Sequence, residues 1–147
     1  MPGTGTQKTV LVVEDEVGVR RMLTRMLGAR GFRTIEAGNG REAIEHLARE
    51  TPSAIVIDLL MPIMSGVELL KALRRNAYFR AIPTIVLTGI AAPREVVALG
   101  VPVLSKPDLA DLPELLIRMT VARDAVPSAE VDLLSDVAAE KEVASTG

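Results

Sequence analysis

The chain has 147 residues, 48% of them hydrophobic and 24% charged, proportions that suit one globular core and leave no room for two. Seventeen basic residues face nineteen acidic ones for a formal charge of -2, which provides no field for collecting nucleic acid or anionic lipid. There is no Cys for a disulfide or thiolate metal site, and only Phe32, Tyr78 and Phe79 are aromatic, so base stacking lacks its residues and aliphatic side chains must fill the core.

Residues 1–8 read as an N-terminal extension without the apolar heart of a signal peptide, and the longest apolar runs, such as 101–104, fall far short of a bilayer span. A cytoplasmic protein is expected, with no membrane contact and no nucleic-acid binding by this segment. Thr9–Val13 is a β-branched run that halts at Glu14, Asp15 and Glu16, as a buried strand does on reaching a polar edge. A helical pattern follows. Val19, Met22, Leu23, Met26 and Leu27 recur at helical spacing, Arg20, Arg21 and Arg25 take the opposite face, and Gly28 and Gly31 supply the stop. Arg33–Ala37 reads as a second strand, and Gly38-Asn39-Gly40 turns the chain into a helix over 41–49.

After the break at Pro52 and Ser53, residues 54–57 are wholly apolar, as a central parallel strand covered on both faces must be, and they end on Asp58. A helix over Gly66–Arg75 puts Val67, Leu70 and Leu73 on one face with Leu69 flanking them. Strand 84–87, a short helical segment at 94–99, strand 102–104 and a last helix over 109–123 with Leu112, Leu115, Leu116 and Met119 inward complete the alternation. Five strands alternating with five helical segments predict right-handed parallel βαβ units in a doubly wound α/β sandwich, whose chemistry gathers beyond the carboxyl ends of the strands. The domain is drawn at 9–124. Residues 125–147 form a C-terminal tail in which Val131, Leu134, Val137 and Ala138, behind a Ser128 cap, fit a helix, docked or frayed.

The strand ends carry Glu14 and Asp15, then Asp58, then Thr88, then Lys106. Two carboxylates roughly 5 Å apart repel by about 3 kcal/mol at an effective dielectric near 20, so three together take up protons or recruit a cation. An all-oxygen set without His or Cys suits Mg²⁺, beside which an Asp carboxylate is a competent nucleophile toward phosphorus. Lys106 balances charge, and the Thr88 hydroxyl offers a hydrogen bond to a phosphoryl oxygen. His46 lies on a polar stretch of its helix and reads as a surface residue, Glu16 as a charge at a helix start, and Met61 and Met64 as packing.

Four strings in order at strand ends, Leu11-Val12-Val13-Glu14-Asp15-Glu16, Ile57-Asp58-Leu59-Leu60-Met61-Pro62 with Gly66 behind it, Leu87-Thr88-Gly89 and Lys106-Pro107, resemble the receiver domains of response regulators over roughly residues 7–124. The resemblance implies a flavodoxin-like (βα)5 three-layer sandwich with a five-stranded parallel sheet. It implies Asp58 as the phosphorylated residue, and Glu14, Asp15, Asp58 and the Leu60 carbonyl as ligands of Mg²⁺. Thr88 would be the switch hydroxyl, Lys106 the phosphate-pairing cation, and Lys106-Pro107 a candidate cis peptide. The implied partners are a sensor histidine kinase or histidine phosphotransfer protein and an unknown downstream protein. A monomer or weak homodimer is the expected state.

Three departures stand out. Glu14 occupies a place where Asp is common, Val103 one where many members carry an aromatic, and the 18 positions from Thr88 to Lys106, with Pro93 among them, predict a stunted fourth helix. They leave a degenerate receiver, binding a partner without phosphate, as the alternative. An aspartate-nucleophile phosphatase would want a second acid at 60, where Leu60 stands, and a nucleotide binder a phosphate-cradling loop where this chain has acids. No helix-turn-helix follows residue 124, which favours a stand-alone receiver over a transcription factor.

Overall fold

The computed structural model describes residues 7–124. Its strands are β1 (Thr9–Val13), β2 (Arg33–Ala37), β3 (Ala54–Asp58), β4 (Thr84–Thr88) and β5 (Val103–Ser105), and its helices α1 (Val17–Gly28), α2 (Gly40–Leu47), α3 (Gly66–Arg75), α4 (Arg94–Val97) and α5 (Leu112–Asp124). All strand pairs are parallel, in the order β2-β1-β3-β4-β5. The chain steps from β1 to β2 at one edge and returns to the other side at β3, so the reversal of strand order falls between β1 and β3.

Alternation along the central strands divides the core into two layers. Leu11, Val13, Ile55, Ile57 and Val86 face α2, α3 and α4, meeting Ala43, Leu47, Leu69, Leu70, Leu73 and Val96. Val10, Val12, Ala54, Val56, Ile85 and Leu87 face α1 and α5, meeting Leu23, Leu27, Leu112 and Leu116. Helix starts follow local chemistry. The Asn39 side chain accepts from the Glu42 N–H at 2.9 Å, and Ser65 accepts from the Glu68 N–H at 3.2 Å, with Glu68 reaching back to the Ser65 hydroxyl.

Several expectations are corrected. Met22, assigned to the inward face of α1, is 43% exposed, while Leu23 and Leu27 are buried and Val19 and Met26 pack partly against the same layer. On α3, Leu70 and Leu73 are buried as expected and the flanking Leu69 is fully buried with them, while Val67 is only half-buried. The last helix starts at 112, since 106–111 winds as a tighter 3-10 turn, and β5 is shifted by one residue to 103–105. Among the described residues no peptide bond is cis, so the candidate cis bond at Lys106-Pro107 finds no support. As expected from Pro93, α4 is a single turn. The tail at 125–147 lies outside the described residues.

Candidate functional site

Register decides which side chains meet at the strand ends. Val13 pairs with Ile57, so Glu14 and Asp58 lie side by side where neighbouring strands end. Glu14 is pinned through its backbone: its N–H donates to the Ala37 carbonyl at 3.0 Å, and its own carbonyl accepts from Arg20 Nη1 at 2.8 Å. Beyond Asp58, the Leu59 N–H donates to the Leu87 carbonyl at 3.3 Å and the Gly66 N–H donates to the Leu59 carbonyl at 3.0 Å. The end of β3 is thereby clasped between β4 and the start of α3.

The three carboxylates expected to cluster do so. Glu14, Asp15 and Asp58 each offer an oxygen, all within 4.8 Å of one another, a set able to hold a metal ion. Glu14 and Asp58 are 1% and 2% exposed, whereas Asp15 is exposed and opens the cluster to solvent. Lys106, the first residue after β5, brings Nζ to 2.7 Å from Glu14 Oε1 and 3.4 Å from Asp58 Oδ2. Its nearer contact is Glu14, which the sequence did not indicate. Glu14 Oε1 is enclosed, and the Lys106 ammonium is its close cationic neighbour.

Burial first, then the neighbouring Asp58 carboxyl, push Glu14 up from 4.5 to about 7, and the opposing pull of Lys106 does not cancel them. For Lys106, burial acts downward, but Glu14 and then Asp58 outweigh it and raise the ammonium above its usual value. The sign of the Glu14 shift is opposite to that of an ordinary salt-bridged carboxylate. Between pH 4.5 and 7 the metal-free folded protein holds a proton that the unfolded chain has released, so stability falls as pH rises through that window, by on the order of 3 kcal/mol. Urea unfolding of the metal-free protein across this range checks it, with Glu14→Gln as the reference that lacks the slope. Equal slopes in the two proteins would contradict it.

Thr88 ends β4, buried, one register position beyond Leu87, the partner of Asp58. Its hydroxyl is engaged locally, donating to the Ile90 carbonyl at 2.9 Å and accepting from the Ile90 N–H at 3.1 Å. Leu60 leaves its side chain 60% exposed while its N–H reaches Asp58 Oδ1 at 3.4 Å. Met61 and Met64 pack on the α2–α4 side of the core, as does Val103. His46 is half-buried in the last turn of α2. Sequence periodicity placed Arg20 on the polar face of α1 and missed its use. The side chain folds back to the Glu14 carbonyl and pairs with Glu36 of β2 at 3.0 Å, a contact visible only once β2 lies beside β1.

A family profile described as "Response regulator receiver domain" matches residues 10–115. The chain belongs to this family. As a receiver domain of two-component response regulators it is 37% identical over 82 residues to the phosphate regulon transcriptional regulatory protein PhoB of Klebsiella pneumoniae, covering 56% of this chain and 36% of that protein. It is 34% identical over 85 residues to the probable transcriptional regulator ycf27 of Porphyridium aerugineum, covering 58% and 34%. The receiver thus spans about a third of the length of these curated relatives. Among solved structures it superposes on the signal receiver domain of a signal transduction histidine kinase from Syntrophus aciditrophicus with a TM-score of 0.74 at 32% identity, covering 82% of this chain and 96% of that one. The chemotaxis protein CheY4 of Vibrio cholerae gives a TM-score of 0.70 at 30% identity, covering 78% and 99%.

Proposed function

We propose that Asp58 of this receiver accepts a phosphoryl group from the phosphohistidine of a sensor histidine kinase or histidine phosphotransfer protein, and that the modified domain signals to a downstream protein. The observation that carries the reading is the oxygen cluster of Glu14, Asp15 and Asp58 with Lys106 set against it. The cluster suits a hard divalent cation such as Mg²⁺ because all its donors are oxygens and one of them, Glu14 Oε1, is buried without a hydrogen bond. Glu14, Asp15, Asp58 and the Leu60 carbonyl would hold the ion, which when bound supplies positive charge to the transferring phosphoryl oxygens.

In the transfer a carboxylate oxygen of Asp58 attacks phosphorus in line. The O–P bond forms as the P–N bond breaks, and the imidazole nitrogen keeps the bonding pair. Lys106 neutralises charge on the group that arrives. The new oxygens then offer Thr88 an acceptor in place of the Ile90 carbonyl, and offer one to the Gly89 N–H. One or two charge-assisted bonds of about 1.5 to 3 kcal/mol each raise a minor conformer from a few per cent to a majority. Water reaching the aspartyl phosphate reverses the state without a dedicated base.

The domain is thus a phosphoacceptor and not an enzyme in the ordinary sense, with slow self-labelling from small acyl phosphates. No helix among the described residues is long and apolar enough to cross a membrane. A cytoplasmic receiver over 9–124, monomeric or weakly dimeric, fits the reading. Transfer from a phosphorylated histidine phosphotransfer protein tests it: label moves to this chain in the presence of Mg²⁺ and stays on the donor after chelation. Transfer unaffected by chelation would overturn the role given to the acids. Thr88→Val is expected to keep phosphorylation while losing the switch, seen as amide chemical-shift changes confined to the neighbourhood of residue 58. Wild-type changes reaching α4 and β5 that persist in the variant would contradict this.

A further inference from the structure

The last helix carries more apolar surface than the sheet covers. On α5, Leu112 and Leu116 are buried among side chains of β1, β3 and β4, yet Val121, near its end, is 54% exposed. Together with Ile117 and the buried ring of Phe32, Val121 lines a groove of about 270 Å³ that also takes in Lys8 and Arg30. Lys8 precedes β1 and Phe32 precedes β2, so the groove lies at the end of the sheet opposite the acid cluster. Aliphatic side chains laid into it would remove the exposed face of Val121 from water.

The sequence after Asp124 supplies such side chains. Ala125-Val126-Pro127 has the length of a connection between two antiparallel helices, and Pro127 cannot continue a helix already begun. Behind the Ser128 cap, Val131, Leu134 and Ala138 recur at helical spacing, with Asp132, Asp136 and Glu140 repeating beside them. The distances along the chain match. Val131 and Val121 each lie five positions from Val126, and Leu134 and Ile117 lie eight and nine positions from it. At a rise of about 1.5 Å per residue, a helix returning along α5 brings each pair to nearly one height. Charge agrees, since Glu130, Asp132, Asp136, Glu140 and Glu142 face only Lys141 within residues 125–147, whereas the groove offers Lys8 and also Arg30, which holds Glu114.

We propose that residues 128–140 turn back as a helix antiparallel to α5 and seat Val131 and Leu134 in the groove of Phe32, Ile117 and Val121. The occupant is this chain's own segment. Because the groove and the acid cluster lie at opposite ends of the sheet, docking leaves Asp58 open, and its failure is distinguishable from failure of the phosphoacceptor reading.

The chain has no Cys, so engineered pairs in the full-length protein report the contact without background. Val121→Cys with Val131→Cys should close an intramolecular disulfide more than about tenfold faster than Val121→Cys with Ser145→Cys, where loop length alone gives a free chain only about fourfold. A smaller ratio would overturn the docking, as would a disulfide-linked dimer as the main product, which would make a second copy the occupant. In the wild type, hydrogen exchange of amides in residues 130–138 should be at least about tenfold slower than in an unstructured chain, and Val121→Asp should abolish that protection. Free exchange in the wild type would leave the segment to an outside partner and overturn the proposal, and protection that survives Val121→Asp would place it elsewhere and do the same. Labelling of Asp58 by a small acyl phosphate should be unchanged by Val121→Asp, and its loss would contradict the separation of the two ends.

Discussion

Gly66→Ala should lower stability by about 3 kcal/mol or more and should impair phosphorylation at the same time, because the added methyl has nowhere to go. A Cβ at 66 would lie 2.0 Å from the Asp58 carbonyl oxygen, 2.7 Å from Leu59 Cα and 2.8 Å from the Asp58 carbonyl carbon. All three are backbone atoms of the strand end that carries Asp58. Neither side can yield cheaply. The strand is held by its ladder to β4, and the start of α3 is fixed by the Ser65 cap and by the Gly66 N–H bond to Leu59. Relief therefore means tilting α3 away from the sheet or moving Asp58 relative to Glu14. Gly18→Ala is the control. Its Cβ meets nothing within 4 Å inside α1, and the change should stabilise by about 0.5 to 1 kcal/mol through helix propensity. Urea unfolding of the two variants checks the contrast, and a loss below about 1 kcal/mol for Gly66→Ala would contradict the close approach.

Much of the fold is legible in the sequence, for a definite reason. A parallel sheet buried on both faces writes each central strand as an unbroken apolar run, and each run here ends on the polar residue the site uses: Val13 before Glu14, Ile57 before Asp58, Leu87 before Thr88. Strand order and register were not in that signal, but once given they bring residues 14 and 58 together without further information. What stayed hidden depended on how elements lie against one another. The inward stripe of α1 runs through Val19, Leu23, Met26 and Leu27 and leaves Met22 beside it, 43% exposed, a distinction that the shared three- and four-residue spacing does not make. Arg20 looked like one of several outward arginines until β2 placed Glu36 beside it. The pairing of Lys106 with Glu14 over Asp58 turns on a difference of 0.7 Å, being 2.7 Å against 3.4 Å, which motif spacing cannot resolve. The short α4, by contrast, was legible from Pro93 and the brief stretch between Thr88 and Lys106.

The second large effect belongs to Asp58, the proposed acceptor. Asp58→Asn keeps the size and planarity of the side chain, and its amide oxygen still accepts from the Leu60 N–H, but it removes the anionic nucleophile. Labelling should fall by about a hundredfold or more, since Glu14 is enclosed and paired with Lys106 and no other member of the cluster stands at the end of β3. Stability should change far less than in Gly66→Ala. One of three clustered carboxylates is neutralised, which relieves repulsion, while Lys106 keeps its closer partner.

Intact mass spectrometry after incubation with Mg²⁺ and a small acyl phosphate puts Asp58 to the most direct test. The wild type should gain the mass of a single phosphoryl group, lose it again on standing, and gain nothing when Mg²⁺ is chelated, while Asp58→Asn stays at its unmodified mass. Equal gains in wild type and Asp58→Asn would place the acceptor elsewhere and contradict the account built on the cluster.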